Sequence, residues 1–153
     1  MKLSRKADYA IRAVGYLSSV PRGTLGSINA IAEAESIPRE FLAKILKDLT
    51  MAHVLASYQG VHGGYSLVRK PHELSYLDVI EAVDGTINLN LCTEADGAYC
   101  KRVGHCPNHD FWVTQEMSIK RALAAQKFPK HAKRRSYANY TALKVTPVFS
   151  GCD

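Results

Sequence analysis

Three cysteines and a histidine lie close together in the second half of the chain. Cys92, Cys100 and Cys106 fall within one stretch of fifteen residues, and His109 stands three positions after Cys106. Thiolates bind zinc, copper(I) and iron–sulfur clusters, and imidazole suits zinc and iron, whereas calcium and magnesium require oxygen ligands. This stretch therefore predicts a site for a soft metal centre.

The spacing of these cysteines favours an iron–sulfur cluster. Seven residues separate Cys92 from Cys100 and five separate Cys100 from Cys106. Structural zinc sites usually pair their cysteines about two to four residues apart. The loops here are longer, contain Gly97 and Gly104, and can surround a group larger than one ion. Structural zinc and cysteines without a metal are the alternatives that the spacing leaves open.

Cysteine usage and hydropathy indicate the cellular compartment. The chain has four cysteines, and the fourth, Cys152, is isolated near the end. The first residues are charged rather than apolar, and the chain has no apolar run of the roughly eighteen residues that a membrane helix needs. We therefore expect reduced thiols and a cytoplasmic protein that has no membrane association.

The charge is unevenly distributed along the chain. The net charge is +6, with residues 1–70 at +5, residues 71–126 at −4 and residues 127–153 at +5. A basic first half is typical of a surface that binds phosphate groups, although a solvated charged face has the same composition. The charge pattern alone does not distinguish the two.

The apolar periodicity predicts three helices in the first third of the chain. Ser4 caps the first helix, Ser27 opens a short second helix, and Pro38 stands in the first turn of the third. The expected apolar stripe of the third helix contains Phe41, Leu42, Ile45, Leu46 and Leu49. A short helix, a tight turn and a helix with a polar face together predict a helix-turn-helix unit.

A hairpin and two further helices are expected to follow. Residues 54–59 and 65–68 alternate as strands around a glycine-rich turn, which predicts a wing directly after the third helix. Ser75 begins a capping box for a helix over residues 77–83, and a long helix starts at Asn108 or Asp110 and ends near Gln126. The predicted fold class is mainly α with a small β-hairpin wing, a winged helix-turn-helix domain followed by a long helix.

Several short segments carry a resemblance to a known family. They are residues 1–4 (MKLS), 7–13 (ADYAIRA), 37–38 (IP), 63–65 (GGY), 79–85 (VIEAVDG) and 106–112 (CPNHDFW). Together they resemble the Rrf-type bacterial repressors, a family of winged-helix transcription regulators that includes the IscR-like iron–sulfur regulators. The resemblance covers residues 1–126.

The resemblance implies a homodimer that binds an operator in double-stranded DNA. A cluster in each cysteine loop would govern DNA affinity in response to redox state, nitric oxide or iron status. His109 matches the family's histidine ligand, while Asp8 matches an aspartate that supplies the fourth ligand from the partner subunit in a nitric-oxide-sensing branch. The gap after Cys92 resembles that of iron-responsive relatives, so 2Fe-2S and 4Fe-4S forms both stay open.

The motifs and the charge pattern together divide the chain into four parts. Residues 1–85 would form the DNA-binding domain, residues 86–109 the cluster loop and residues 110–128 the dimerisation helix. Residues 129–153 would form a basic C-terminal arm, in which Leu143, Val145 and Val148 alternate like a short strand.

Candidate DNA contacts follow from charge and from position in the helix-turn-helix unit. Residues expected to contact phosphates are Lys2, Arg5, Lys6 and His62. Residues expected to contact base edges at the exposed start of the third helix are Arg39, Glu40, Ala43 and Lys44. Gln59 lies where the family inserts a wing residue near the minor groove.

Other functions are less consistent with the sequence. No Cys-x-x-Cys pair, glycine-rich phosphate loop or nucleophile motif is present, so we expect no enzyme activity. A DNA-binding regulator with structural zinc, or with a bare-thiol redox switch in which Cys152 takes part, is the alternative to the cluster-dependent regulator.

Overall fold

The computed structural model describes residues 3–21 and 23–128, which form five α-helices and one antiparallel hairpin. The elements in chain order are α1 (Arg5–Ser19), α2 (Ile28–Glu35), α3 (Arg39–Met51), β1 (Leu55–Tyr58), β2 (Gly64–Leu67), α4 (Tyr76–Asp84) and α5 (His109–Ala125). This order confirms the predicted fold class. No helix in the described ranges is long and apolar enough to cross a membrane.

Serine caps set the beginnings of three helices. The side chains of Ser4, Ser27 and Ser75 accept hydrogen bonds from backbone N–H groups in the first turns of α1, α2 and α4. At α4 the carboxylate of Asp78 accepts the backbone N–H of Ser75 in return, at 2.8 Å, which completes the predicted capping box. Asn108 precedes α5 but makes no side-chain cap.

The wing is a short hairpin anchored to the helical domain. Leu55 pairs with Leu67 and Tyr58 with Gly64, so both strands lie within one or two residues of their predicted bounds. The backbone of Tyr65 also exchanges hydrogen bonds of 2.9 Å with Gly26, in the segment before α2. A Cβ at Gly64 would lie 2.8 Å from the Gly26 carbonyl oxygen, so this approach requires glycine.

The core lies where α1, α3 and α4 meet. Side chains that are almost completely buried there include Ala10, Val14, Leu42, Leu46, Leu49, Val79 and Ile80. One member of the predicted α3 stripe differs, because Phe41 is 60% exposed. Positions 42, 45, 46 and 49 already fill the narrow face of α3 that meets the other helices, and Phe41 lies just outside it.

The segment after α5 returns to the winged domain. The backbone N–H of Tyr76 donates to the carbonyl of Gln126 at 3.0 Å, and the backbones of Ser75 and Lys127 form an isolated antiparallel β-bridge. Phe128 is 2% exposed and packs in the core with its ring centroid 4.8 Å from that of Tyr76. The end of α5 is therefore attached to the beginning of α4, which periodicity did not predict. The predicted strand near Val145, the C-terminal arm and Cys152 lie outside the described residues.

Phe128 provides a test of this attachment. We expect Phe128→Ala to lower the free energy of unfolding by about 3–5 kcal/mol, because it leaves a cavity in the core. Phe41→Ala removes the same side chain from an exposed site and should change it by less than about 0.5 kcal/mol. Urea denaturation at one protein concentration measures both values. Equal effects of the two substitutions would show that Phe128 does not support the core.

Candidate metal centre and nucleic-acid interface

The start of α3 presents the predicted base-contacting residues to solvent. Arg39, Glu40, Ala43 and Lys44 are all exposed, while the opposite face of the helix is buried. The Arg39 guanidinium donates from Nε to Oδ1 of Asn29 on α2, at 2.9 Å. This contact holds Arg39 across the turn between the two helices. Phe41 is the exposed residue on this surface that periodicity had assigned to the core.

The predicted wing residues lie at the tip of the hairpin. Gln59 and His62 are exposed, and Val61 between them is 98% exposed. The tip therefore projects from the domain, with no described side chain packed over Val61. A projecting wing is the arrangement that reaches a DNA groove beside a recognition helix.

The predicted phosphate-contacting residues of α1 differ in their surroundings. Arg5 is exposed and makes no ion pair with any described residue, whereas Lys2 lies outside the described ranges. The Lys6 ammonium lies 2.8 Å from a carboxylate oxygen of Asp48 on α3 and also donates to the carbonyl of Val83 on α4. Lys6 thus joins three helices, and its charge is already paired within the chain.

The three cysteines differ in burial. All are free thiols, with Cys92 5% exposed and Cys100 and Cys106 partly exposed. Two short 3-10 helices, Glu94–Gly97 and Val103–His105, shape the loop between them. The first cysteine is therefore packed into the protein while the other two remain nearer to solvent.

Cys92 and His109 line one open pocket against α5. The other residues that line it are Thr93, Val113, Glu116 and Met117. Nδ1 of His109 is buried and has no hydrogen-bond partner among the described residues. A buried imidazole nitrogen without a partner is unfavourable unless it binds a ligand, and nitrogen and sulfur together are a soft donor pair.

The cysteine loop does not converge into a complete ligand set. Cys100 and Cys106 do not line the pocket, and no three His, Cys, Asp or Glu side chains in the described part of the chain come together to hold a metal. Asp8, the alternative ligand, is exposed and lies 3.5 Å from the guanidinium of Arg12 one turn along α1. The structure thus brings together Cys92 and His109 of the predicted set.

Glu116 is the residue of this pocket that the motifs did not indicate. It is 8% exposed and accepts hydrogen bonds from Lys120 at 2.8 Å and from the backbone N–H of Leu89 at 3.0 Å. Burial raises the pKa of Glu116, but the hydrogen bonds from Lys120 and Leu89 and the nearby Thr93 hydroxyl outweigh it, so the pKa lies below its usual value. Its position seven residues after His109 was the available sequence signal, because that spacing places both residues on one helix face.

Comparison with known proteins places this fold in a family. The profile of the Rrf2 family, described as iron-dependent transcriptional regulators, matches residues 3–132. The chain belongs to the Rrf2 family. An HTH-type transcriptional regulator of Mycobacterium tuberculosis is 38% identical over 87 residues, which cover 57% of this chain and 54% of that protein. IscR of Aliivibrio salmonicida is 30% identical over 112 residues, which cover 73% of this chain and 66% of IscR.

The chain therefore spans about half the length of the mycobacterial relative.

Solved structures of Rrf2-family regulators share the fold. CymR, the global cysteine regulator of B. subtilis, matches with a TM-score of 0.67 at 23% identity, covering 84% of this chain and 93% of CymR. IscR of T. potens matches with a TM-score of 0.66 at 22% identity, covering 84% of this chain and 83% of IscR.

Rrf2 membership confirms two predictions. The family resemblance inferred from the motifs is correct, and the relatives are transcriptional regulators rather than enzymes. The ligand set and the DNA contacts of this Rrf2 protein remain predictions.

Burial of Cys92 leads to a test on the metal-free protein. We expect iodoacetamide to alkylate Cys92 about tenfold more slowly than Cys106, which corresponds to a local opening free energy of about 1.4 kcal/mol. Peptide-resolved mass spectrometry measures both rates in one sample, with the rate in urea as the reference for equal intrinsic reactivity. Equal protection of the two thiols in the folded protein would contradict the packed position of Cys92.

Proposed function

We propose that this protein is a DNA-binding transcriptional repressor whose affinity for its operator depends on an iron–sulfur cluster in the cysteine loop. The observation that supports this most directly is the pocket shared by Cys92 and His109, with its unpartnered Nδ1, in an Rrf2-family chain. The signal would be redox state, nitric oxide or iron status. Each of these can alter a cluster whose fourth ligand is not a thiolate.

The proposed ligands are the three loop cysteines and His109. Cys92 and His109 already lie at one pocket, and Cys100 and Cys106 would close over it from the more exposed part of the loop. An iron–sulfur cluster, 2Fe-2S or 4Fe-4S, would supply a redox-active centre there. Asp8 of the partner subunit is the alternative fourth ligand, and it would have to leave Arg12 to serve.

The proposed DNA surface consists of α3 and the wing. Arg39, Glu40, Ala43 and Lys44 would meet base edges in the major groove, and Gln59 would approach the minor groove. Arg5, Lys2 and His62 would contact phosphates. Lys6 was predicted to do the same, but the pairing of its ammonium with Asp48 favours a structural contribution.

The proposed functional unit is a homodimer built from the four predicted parts of the chain. Residues 1–85 would bind DNA, residues 86–109 would hold the cluster, residues 110–128 would pair with the partner subunit, and residues 129–153 would form the basic arm. Because ligand binding can shift an arrangement only through differential affinity, cluster and operator must each alter the binding of the other. Closure of Cys100 and Cys106 against α5 is the movement that would couple them.

The cofactor is tested by purification without oxygen. We expect a brown protein with visible absorption and with iron and acid-labile sulfide in equal amounts. The proposed ligands are soft, and the cysteines are further apart in sequence than those of structural zinc sites. The iron count per chain distinguishes two-iron from four-iron clusters. His109→Ala should make the cluster more labile, while Asp8→Ala should leave it unchanged.

A colourless protein that carries zinc would instead support the regulator with structural zinc. A colourless, metal-free protein whose operator affinity changes on thiol oxidation would support the bare-thiol switch. Loss of the cluster in Asp8→Ala but not in His109→Ala would assign the fourth ligand to the partner subunit. The proposed DNA surface is independent of all three outcomes.

DNA contacts are tested by titration with a duplex that the wild-type protein selects from a random pool. We expect Arg39→Ala to weaken binding by about 1–3 kcal/mol and to relax the sequence preference, because it removes a base contact. Arg5→Ala should reduce the slope of log K against log salt by about 1, because one phosphate contact is lost.

Lys6→Ala is the matched control for Arg5→Ala. It should lower the free energy of unfolding, since Lys6 joins α1, α3 and α4, and it should alter the salt slope less than Arg5→Ala does. An unchanged preference in Arg39→Ala would remove Arg39 from the base-contacting set.

A further inference from the structure

The chain segment that contains Cys92 is joined to a carboxylate of α5. The backbone N–H of Leu89, three residues before the cysteine, donates to Oε2 of Glu116 at 3.0 Å. The hydroxyl of Thr93, the residue after Cys92, donates to the carbonyl of Asn90 at 2.9 Å, and Thr93 lines the same pocket as Glu116. Cys92 therefore lies in a short segment that is joined at Leu89 to a side chain more than twenty residues further along the chain.

The same carboxylate shares a helix face with His109. Positions 109, 113, 116 and 120 follow one another at helical spacing of four, three and four residues, so they form one stripe along α5. His109, Val113 and Glu116 all line the pocket that also contains Cys92. Glu116 thus attaches the first part of the loop to the helix face that carries the histidine.

Burying the Glu116 carboxylate of α5 costs hydration free energy that the helix itself does not fully recover. An ionised group that is 8% exposed loses much of its hydration, and an apolar side chain on the same face would be buried without that penalty. Lys120 offsets part of the penalty with a contact of 2.8 Å, and its own side chain stays partly exposed. The contact that an apolar residue could not replace is the one with the backbone N–H of Leu89.

We propose that Glu116 is a positioning residue that fixes the loop around Cys92 to α5, so that the Cys92 sulfur is held at the pocket of His109. Cluster binding enters this inference only through the proposed function, because the clamp itself is a property of the metal-free chain. With the clamp in place, closing the site requires movement of Cys100 and Cys106 alone.

The clamp is tested by alkylation of the metal-free, full-length protein with iodoacetamide. In Glu116→Ala we expect the Cys92 rate to rise about tenfold, while the rates of Cys100 and Cys106 change by less than about twofold. Glu116→Gln keeps one carbonyl oxygen as an acceptor and should show an intermediate Cys92 rate. Gln115→Ala, at the neighbouring exposed position, is the matched control and should leave all three rates unchanged.

Two results would overturn the proposal. An unchanged Cys92 rate in Glu116→Ala would show that the carboxylate does not hold the loop. Equal acceleration of all three cysteines would show general destabilisation rather than a local clamp. If Glu116→Ala does not fold, the same comparison of the Cys92 rate with the Cys100 and Cys106 rates is made on Glu116→Gln, the milder substitution.

A second measurement separates the clamp from the proposed function. After reconstitution with iron and sulfide without oxygen, Glu116→Ala should lose visible absorption to an iron chelator faster than the wild type and Gln115→Ala, with Glu116→Gln between them. If Cys92 is released in Glu116→Ala but the wild type takes up no iron or sulfide, the clamp stands and the cluster proposal fails. If the wild type binds a cluster and Cys92 stays protected in Glu116→Ala, the clamp fails alone.

Discussion

Burial of one apolar face of α3 is the constraint on which the rest of the structure depends. Leu42, Leu46 and Leu49 are fully buried where α3 meets α1 and α4. Because the apolar residues of α3 form a single stripe, burying that stripe leaves the opposite side of the helix in solvent. The exposed positions are the ones that a helix-turn-helix protein uses for recognition. The hydrophobic core thereby orients the proposed DNA surface without any residue of that surface contributing to it.

Two separate attachments hold α5 to the winged domain and to the cysteine loop. Phe128 secures its end beside Tyr76 at the start of α4, and Glu116 secures its middle to Leu89. A movement of α5 would therefore be transmitted to α4, and α4 contacts α1 and α3 in the core. Lys6 adds a polar link between the same three helices through Asp48 and Val83. Contacts therefore run without interruption from the cysteine loop through α5, α4 and the core to α3, which carries the proposed DNA surface.

Two charged side chains join elements that are distant in sequence. Lys6 binds a carbonyl 77 positions away, and Glu116 binds a backbone N–H 27 positions away. Glu116 is the buried one of the two, and a buried charge is costly unless it is hydrogen-bonded, so its pairing favours one arrangement of α5 and the cysteine loop. His109 differs from both, because its buried Nδ1 has no partner within the described ranges. That contrast is why the pocket of His109 is the candidate ligand site.

The sequence by itself determined the elements and the family. Helix starts at Ser4, Ser27 and Ser75 were predictable because capping involves residues two or three positions apart, and the wing followed from local alternation and glycine. The tertiary structure alone decided that Phe41 is exposed, that Phe128 is buried, and that Glu116 accepts the backbone N–H of Leu89. These features depend on contacts between residues far apart in the chain. Periodicity describes which face of an element is apolar, but it does not state which distant segment will cover that face.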